Sequence, residues 1–548
     1  MTSTLVRAGD ETPPGTPPAS TSADAGARSG VRAFAARHGV LLVALTTVLM
    51  RLPHLTDAAG ADEGGFLMVA RQWHAHGSSL YGDYWVDRPP LLITIFDLAA
   101  HAGGLVALRL IGCLAAFLVV LGVARAVRLG TTQLRRTAGS STGARRLGRA
   151  PAWGAVTAAA LFVTPLTGSM EVNGELLAAP FVVWGLVAAL EAISSQAAQA
   201  QAQPQTRTGR QARPWAWAAG CGAALAASLM VKQNMADVGV FAATWGATAL
   251  LRREIGRRRA WQLALSLLAG AGLVLAVTAV WTVLHGTSLP ALYDALYPFR
   301  LRAAALSDAA NSGSVGVRRT QLLQSWTVGG GALLMLLVLS ALLGRRLGGT
   351  LRGSVVAGLV ATVGFDCLSV AMGGNFWNHY QIQLVAPLAV LGGLAVAAGQ
   401  RGARTVLAFV AVSALVSWSA ALSSGALADG TVVGRAVAAV SRPGDTIVTL
   451  YGHADVSGSS GLASPYPQLW SLPTKTLDPQ LRTLDSVLAG PRAPTWLVTW
   501  GSLSSWGVDS TETSRLVARL YHPAGRVLGH LVYLHDGVHR AAPSATAP

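Results

Sequence analysis

Two adjacent carboxylates, Asp62 and Glu63, are the residues of this chain whose types and spacing first suggest chemistry. They open the stretch ADEGGFLMVARQWHAHG, about ten residues beyond an apolar run. One interpretation is structural: an acid caps an interfacial helix over 64–76, whose lipid-facing side carries Phe66, Val69, Ala70 and Trp73. The other is a general base or metal ligand at the rim of a cavity, because ionisable groups at membrane depth are costly and usually functional. The two interpretations are compatible, since a capping residue can also face a cavity.

The overall composition places these acids in a membrane protein. Of 548 residues, 52% are hydrophobic and only 12% are charged, against about 25% charged in a typical soluble domain. Apolar runs of roughly 17 to 25 residues recur, and such runs are long enough to cross a hydrocarbon core about 30 Å thick. The net charge of +17 comes largely from arginines in short gaps between these runs. That is the positive-inside pattern of membrane proteins, and it argues against nucleic-acid binding.

The apolar runs predict the fold class, a polytopic α-helical membrane protein with about eleven transmembrane helices. Residues 1–33 are predicted to form a disordered cytoplasmic tail, and 34–424 a transmembrane domain whose first outer loop spans 54–103. The cell membrane is the expected location. The runs lie near 34–53, 104–127, 151–168, 175–194, 214–231, 235–251, 260–284, 326–344, 353–371, 383–399 and 405–423.

Placing every arginine cluster in the cytoplasm brings the unusual polar segments to one outer side. Basic gaps flank the region 214–251 on both sides, so it must leave and return as two helices separated near Lys232. The segments then expected outside are 61–90, 232–237 (KQNMAD), 289–325, 373–381 (GGNFWNHYQ) and everything after about residue 424.

The last 120 or so residues change character and predict a small extracytoplasmic α/β domain over 425–540, followed by a disordered tail over 541–548. The segments DTIVTLYG, TWLVTWG and RVLGHLVYLHDG have the β-branched and aromatic content of strands. LDPQLRTLDSVLAG and STETSRLVARLY have helical periodicity. Strands that alternate with helices are typical of an α/β domain.

A second motif follows the acids in the first outer loop, YGDYWVDRPPLLITIFDLA over 81–99. An acidic pair on a helix, followed by a DRPPLL segment before another apolar run, resembles glycosyltransferase family 39. That family includes the protein O-mannosyltransferases and is close to the aminoarabinose transferases; all are membrane enzymes of the GT-C class. The resemblance extends through GAALAASLMVKQ (222–233) and FWNHYQIQLVAPLAVLGG (376–393), and covers about 41–393.

The resemblance implies transfer of a sugar from a polyprenyl-phosphate donor to an acceptor on the outer face. Asp62 would be the base or acceptor-orienting acid, and Glu63 its acidic partner. A divalent cation is possible and not implied, and no other cofactor is expected. The acceptor is left open among cell-envelope glycans, lipids and proteins. The chain departs from the family in the two glycines of DEGGF and in Arg88 of DRPP, where the aminoarabinose transferases tend to have Lys.

The residues themselves are consistent with this chemistry. The sequence contains neither a P-loop nor a Rossmann fingerprint, and we expect a donor outside the cell to arrive activated on a lipid. A departing lipid phosphate needs cations near the membrane surface, and a carboxylate takes the acceptor proton. The candidates for binding the phosphate are Arg88, Lys232, Arg300, Arg302, His379 and Tyr380. Snorkelling, headgroup contact and an aromatic belt are the structural alternatives for such residues.

Three further residues are candidates for holding the acceptor or sugar hydroxyls: Glu171, Glu175 and Gln233. Asp366 lies within a predicted pass, where an unpaired acid is costly, and we expect it to pair with a basic neighbour or to line the cavity. Two other classes of protein stay open. A lipid or glycan transporter would share the many passes and buried charges, although convincing repeated halves are not found. A scaffold that binds wall polymer would require nothing special of Asp62.

Overall fold

Long apolar helices dominate the computed structural model, which describes residues 38–135, 141–201, 213–310, 312–347, 353–424 and 428–544. The predicted tail 1–33 lies outside these residues, as does the end of the tail predicted over 541–548. In chain order, the helices before the C-terminal sheet are α1 His38–His54, α2 Ala61–Arg71, α3 Pro90–Ala102, α4 Leu105–Arg135, α5 Ser141–Val163, α6 Gly174–Gln201, α7 Pro214–Val231, α8 Asp237–Leu251, α9 Arg257–Leu284, α10 Leu289–Leu296, α11 Pro298–Ala310, α12 Ser312–Val328, α13 Gly331–Leu343, α14 Gly353–Met372, α15 Val385–Ala397, α16 Ala403–Ser424 and α17 Asp429–Val440.

The polytopic helical fold is confirmed, whereas the count of eleven passes is not. Within the described residues, seven helices are long and apolar enough to cross a membrane. An eighth span results if Val315–Val328 and Gly331–Leu343, which meet at a bend of 66°, are counted together. Three other apolar helices, α1, α3 and α8, are shorter. The region 214–251 forms two helices, as its flanking basic gaps predicted, because the backbone is extended at Lys232 (φ −148°, ψ 118°).

The C-terminal region folds around a four-stranded sheet, as its strand-like and helical segments predicted. The strands are β1 Ile447–Leu450, β2 Trp496–Thr499, β3 Tyr521–Val527 and β4 His530–His535, in the order β1-β2-β4-β3. The β1–β2 pair is parallel and the other two pairs are antiparallel. Helix α17 packs against the sheet, and four further α-helices lie between the strands in the chain: α18 Ala454–Ser460, α19 Ser471–Leu477, α20 Arg482–Leu488 and α21 Thr511–Leu520.

The C-terminal domain packs directly on the helix that carries the two acids. A Cβ placed on Gly65 would lie 2.3 Å from the Trp470 ring, and one on Gly64 would lie 3.4 Å from the backbone oxygen of Ala454. The Phe66 and Trp470 rings also meet, with centroids 5.1 Å apart. The glycines that depart from the family pattern therefore allow α2 and α18 to approach closely.

The packing of α2 inside the protein corrects one sequence-based expectation. Phe66, Val69, Ala70 and Trp73 were expected on a lipid-facing side of α2, but all four are buried inside the protein. Apolar periodicity identifies a face that avoids water, and it cannot distinguish lipid from a neighbouring domain. The helix is thus a packed element that holds the acidic pair between two parts of the molecule.

Candidate active site

Glu63 is held rigidly at the start of α2. The N-cap is Gly60, in an extended conformation, and its backbone N–H donates to Glu63 Oε2 at 3.2 Å. The side chain is fully buried and forms a two-pronged ion pair with Arg109, whose Nε and Nη2 donate to Oε1 and Oε2 at 3.1 and 2.8 Å. The backbone N–H of Val172 adds a bond of 2.9 Å to Oε1. Both carboxylate oxygens are therefore occupied by donors of the protein.

Arg109 is a site residue that the sequence reasoning missed. Besides its ion pair with Glu63, the Arg109 guanidinium donates hydrogen bonds to the backbone carbonyls of His54, Asp57 and Ala58 at 2.6 to 2.8 Å. It thereby fixes the chain that leads into α2. The available signal was an arginine within the apolar sequence of α4, close to the start of this helix, which follows the first outer loop.

Asp62, one residue earlier, has a different environment. Its side chain is half-buried, and no described residue donates a hydrogen bond to its carboxylate. Its negative charge acts on Arg88, Lys232, His379 and Tyr380. The Asp62 carboxylate thus lies within electrostatic range of several of the predicted donor-binding residues.

Two arginines, Arg88 and Arg300, contact the same carboxylate, that of Asp87. Arg88 Nη1 donates to Asp87 Oδ1 at 2.7 Å, and Arg300 Nε lies 2.7 Å from Asp87 Oδ2 at an angle poor for a hydrogen bond. Gln233 Nε2 makes a long bond of 3.4 Å to the Asp87 carbonyl. Asp87, which belongs to the DRPP motif, was not among the predicted site residues.

A second buried group forms around Glu175. Its carboxylate makes an ion pair with Lys232, and His379 Nε2 lies 3.9 Å from Glu175 Oε1. The Lys232 ammonium also sits 5.2 Å from the centre of the Tyr380 ring. Glu175 Oε2 is buried without a hydrogen-bond partner in the described part of the chain. The break between α7 and α8 thus delivers Lys232 to residues from the ends of two other helical segments.

Glu171 completes the acidic side of the site. Its carboxylate packs against Gly60, where an added Cβ would lie 2.3 Å from Oε2. The residue as a whole is exposed, but its carboxyl group lies directly against the backbone at Gly60. Burial, followed by the negative charges of Glu63 and Asp62, raises the pKa of Glu171 to about 7. Near neutral pH, Glu171 is therefore a group that can both hold and release a proton.

The structure leaves two candidates away from this cluster. Arg302 forms a bidentate ion pair with Asp294, at 2.7 and 3.1 Å, and both side chains are about half exposed. Arg300 and Arg302 diverge because positions two apart on a helix point in nearly opposite directions. Asp366 is buried near Asp237 of α8, and neither carboxylate has a hydrogen-bond partner or a basic neighbour in ion-pair contact among the described residues.

The question of a metal was also left open by the sequence. Within the described residues, no group of three or more His, Cys, Asp and Glu side chains is placed to hold a metal ion.

The bundle, with its first-loop helices and appended C-terminal domain, has the GT-C fold of membrane glycosyltransferases, which confirms the predicted resemblance at the level of fold. The chain is similar to the crystal structure of ArnT from Cupriavidus metallidurans in the apo state. The TM-score is 0.57 at 16% identity, over 91% of this chain and 98% of that one. No protein-family model and no curated protein sequence matches the chain.

Two archaeal structures show weaker similarity. The apo oligosaccharyltransferase from Archaeoglobus fulgidus gives a TM-score of 0.48 at 10% identity, over 84% of this chain and 69% of that one. AglB from the same organism, in complex with an inhibitory peptide and a dolichol-phosphate, gives 0.47 at 12% identity, over 85% and 70%.

Proposed function

We propose that this chain is an integral-membrane glycosyltransferase that moves a sugar from a polyprenyl-phosphate donor to an acceptor on the extracytoplasmic face. One observation carries the proposal. The carboxylate of Asp62, to which no described residue donates a hydrogen bond, lies within electrostatic range of cationic and aromatic side chains from the first loop, the α7–α8 break and the short 3₁₀ helix Asn378–Leu384. The GT-C fold supports it, since ArnT has the same fold.

In the proposed reaction, the acceptor hydroxyl attacks the anomeric carbon of the donor sugar. The bond from this carbon to the phosphate oxygen breaks as the new glycosidic bond forms. Asp62 takes the acceptor proton, and the lipid phosphate leaves with the electron pair of the broken bond. A base close to the acceptor and cations close to the leaving group are what such a displacement requires.

The lipid phosphate would be bound by Arg88 and Arg300, with Lys232, His379 and Tyr380 beside them. Asp87 balances only one of the two guanidinium charges, so this trio carries a net charge of +1 that a phosphate would offset. Guanidinium groups present paired N–H donors that match phosphate oxygens. The acid between them keeps both side chains in place before the donor arrives. We do not include Arg302 in this site.

The remaining acids would position and tune these groups. Glu63 is saturated by Arg109 and two backbone donors, so we assign it to orienting the start of α2 and hence Asp62. Glu171, on the acceptor side of the site, would take up or release a proton. Glu175 Oε2 and Gln233 Oε1 are buried acceptors without described partners, which suits them to binding sugar hydroxyls.

The proposal is tested with the purified full chain and polyprenyl-phosphate sugars. Asp62→Asn keeps the size of the side chain and removes the base, so sugar release should fall by about 10²-fold or more. Asp83→Asn is the matched control, because Asp83 is a half-exposed acid of the same loop, and it should keep turnover within about twofold of wild type.

Equal turnover in the two folded variants would remove Asp62 from its role. Movement of the lipid across a bilayer without release of its sugar would favour a transporter in place of a transferase.

A further inference from the structure

A cluster of arginines lies at the opposite end of the bundle from Asp62. An open cavity of about 430 Å³ is lined there by Arg146, Arg149, Arg401 and Arg404. The first two belong to the start of α5, and the others flank the turn between α15 and α16.

The separation from the candidate active site follows from the course of two helices. α15 starts beside the short 3₁₀ helix Asn378–Leu384, which contains His379, and ends at the cavity. Its 13 residues span about 20 Å. α5 runs the other way: it starts at the cavity, and the carbonyl of Phe162 near its far end accepts a 2.8 Å bond from Arg51. The cavity is therefore a distinct place in the molecule.

Among the described residues, no acid balances the four guanidinium groups. The cavity lining contains no Asp or Glu, and no described residue forms an ion pair or side-chain hydrogen bond with any of the four arginines. Arg146 also lies close to Gly399, where an added Cβ would be 2.7 Å from Nη1. Four like charges that converge on one hollow repel one another, and a bound anion relieves that repulsion.

The start of a long helix adds a second, independent preference for an anion. α16 begins at Ala403 and runs for 22 residues, and its first three residues line the cavity. The first turn of a helix leaves backbone N–H groups without partners inside the helix and carries the positive end of its dipole. Phosphate groups bind readily at such helix starts.

We propose that this cavity binds the phosphate of an anionic ligand, carried either by a phospholipid headgroup or by a soluble phosphate. The concave shape distinguishes it from the ordinary enrichment of arginine in inner loops, which requires no hollow. Arginine is the side chain best matched to phosphate, and basic pockets between membrane helices are suited to anionic headgroups. By the positive-inside pattern, the ligand would belong to the cytoplasmic side.

The test uses the purified, delipidated full chain in detergent. Phosphatidylglycerol and phosphatidylcholine are titrated separately and bound lipid is counted by native mass spectrometry; pyrophosphate is titrated separately against thermal unfolding. The variant Arg401→Gln/Arg404→Gln removes two of the four cations. The matched control, Arg257→Gln/Arg258→Gln, removes two exposed arginines at the start of α9 that do not line the cavity.

We expect wild type to prefer phosphatidylglycerol or to be stabilised by pyrophosphate, and the first result assigns the site to a lipid and the second to a soluble phosphate. The cavity variant should lose affinity for that probe by about tenfold or more, while the control stays within about twofold. Arg401→Lys/Arg404→Lys keeps the positive charges but loses the paired N–H donors of the guanidinium groups, so its affinity for the probe should lie between those of wild type and the glutamine variant. This lysine variant replaces the glutamine variant in the test if the latter does not fold. The proposal is overturned if wild type responds to neither probe, or if the cavity and control variants lose affinity equally.

Discussion

Removal of Arg109 should destabilise the molecule more than removal of any exposed arginine of α4. This guanidinium makes five hydrogen bonds, two of them to Glu63 and three to backbone carbonyls. In Arg109→Leu, the buried carboxylate keeps only the backbone N–H groups of Gly60 and Val172. Loss of one partner of a buried ion pair costs about 3–5 kcal/mol, because it leaves the other charge buried and uncompensated.

A double-mutant cycle separates the charge from the other contacts of Arg109. Glu63→Gln removes the orphaned charge, so Arg109→Leu with Glu63→Gln should cost about 1–3 kcal/mol less than the sum of the two single changes. The remaining loss comes from the three carbonyls left without their donor. The free energy of unfolding is measured by denaturant titration in mixed micelles, alongside turnover of the lipid-linked sugar.

Arg125→Leu is the matched control, because Arg125 lies on the same helix and pairs with Glu191 while its own side chain is 43% exposed. Because the Glu191 side chain is 13% exposed and Arg125 is 43% exposed, this pair is only partly buried, and its loss should cost less than the loss of the fully buried Arg109–Glu63 pair. If Arg109→Leu costs no more than Arg125→Leu, or if the double-mutant cycle shows no coupling, the reasoning that Glu63 positions α2 through this ion pair is refuted.

Two other predictions concern the surroundings of Asp62. Gly65→Ala should cost about 1–3 kcal/mol by overpacking against Trp470, and Trp470→Leu in the same chain should recover part of the loss. The control Gly246→Ala has open space around it and should not destabilise; an equal thermal shift in both alanine variants would show that α2 and the C-terminal domain are not tightly packed. Because the pKa of Glu171 is raised to about 7, the folded state holds a proton that the unfolded state has lost. Stability should fall as pH rises from about 4.5 to 7 and then level off. Glu171→Gln should flatten this part of the profile of thermal midpoint against pH, and an unchanged profile would contradict the raised pKa.

Much of the architecture follows from local sequence. Apolar runs specify membrane helices because their length matches the bilayer and each run satisfies its own backbone hydrogen bonds. The break at Lys232 could be inferred because basic gaps on both sides left no other consistent path. The strands and helices of the C-terminal domain could be predicted for the same local reason, since the side-chain periods of the two elements differ.

The composition of the site could be inferred only in part. Asp62, Lys232 and His379 were identified because charged or polar residues are rare beside apolar runs, and rarity is visible in a sequence. Arg109 and Asp87 were missed because their importance lies in their partners. Glu63 and Asp62 are neighbours in the chain, yet one is saturated by an arginine from α4 and the other is open.

The sequence by itself therefore determined a polytopic membrane protein with a C-terminal α/β domain and a set of charged or polar residues beside apolar runs. Only the tertiary structure decided which of those residues meet, that the apolar face of α2 is buried inside the protein and not in lipid, and that four arginines from two distant segments share one cavity. The physical reason is that hydrophobic periodicity and charge bias act over one or two turns of chain, whereas ion pairing and close packing depend on distances between segments far apart in sequence.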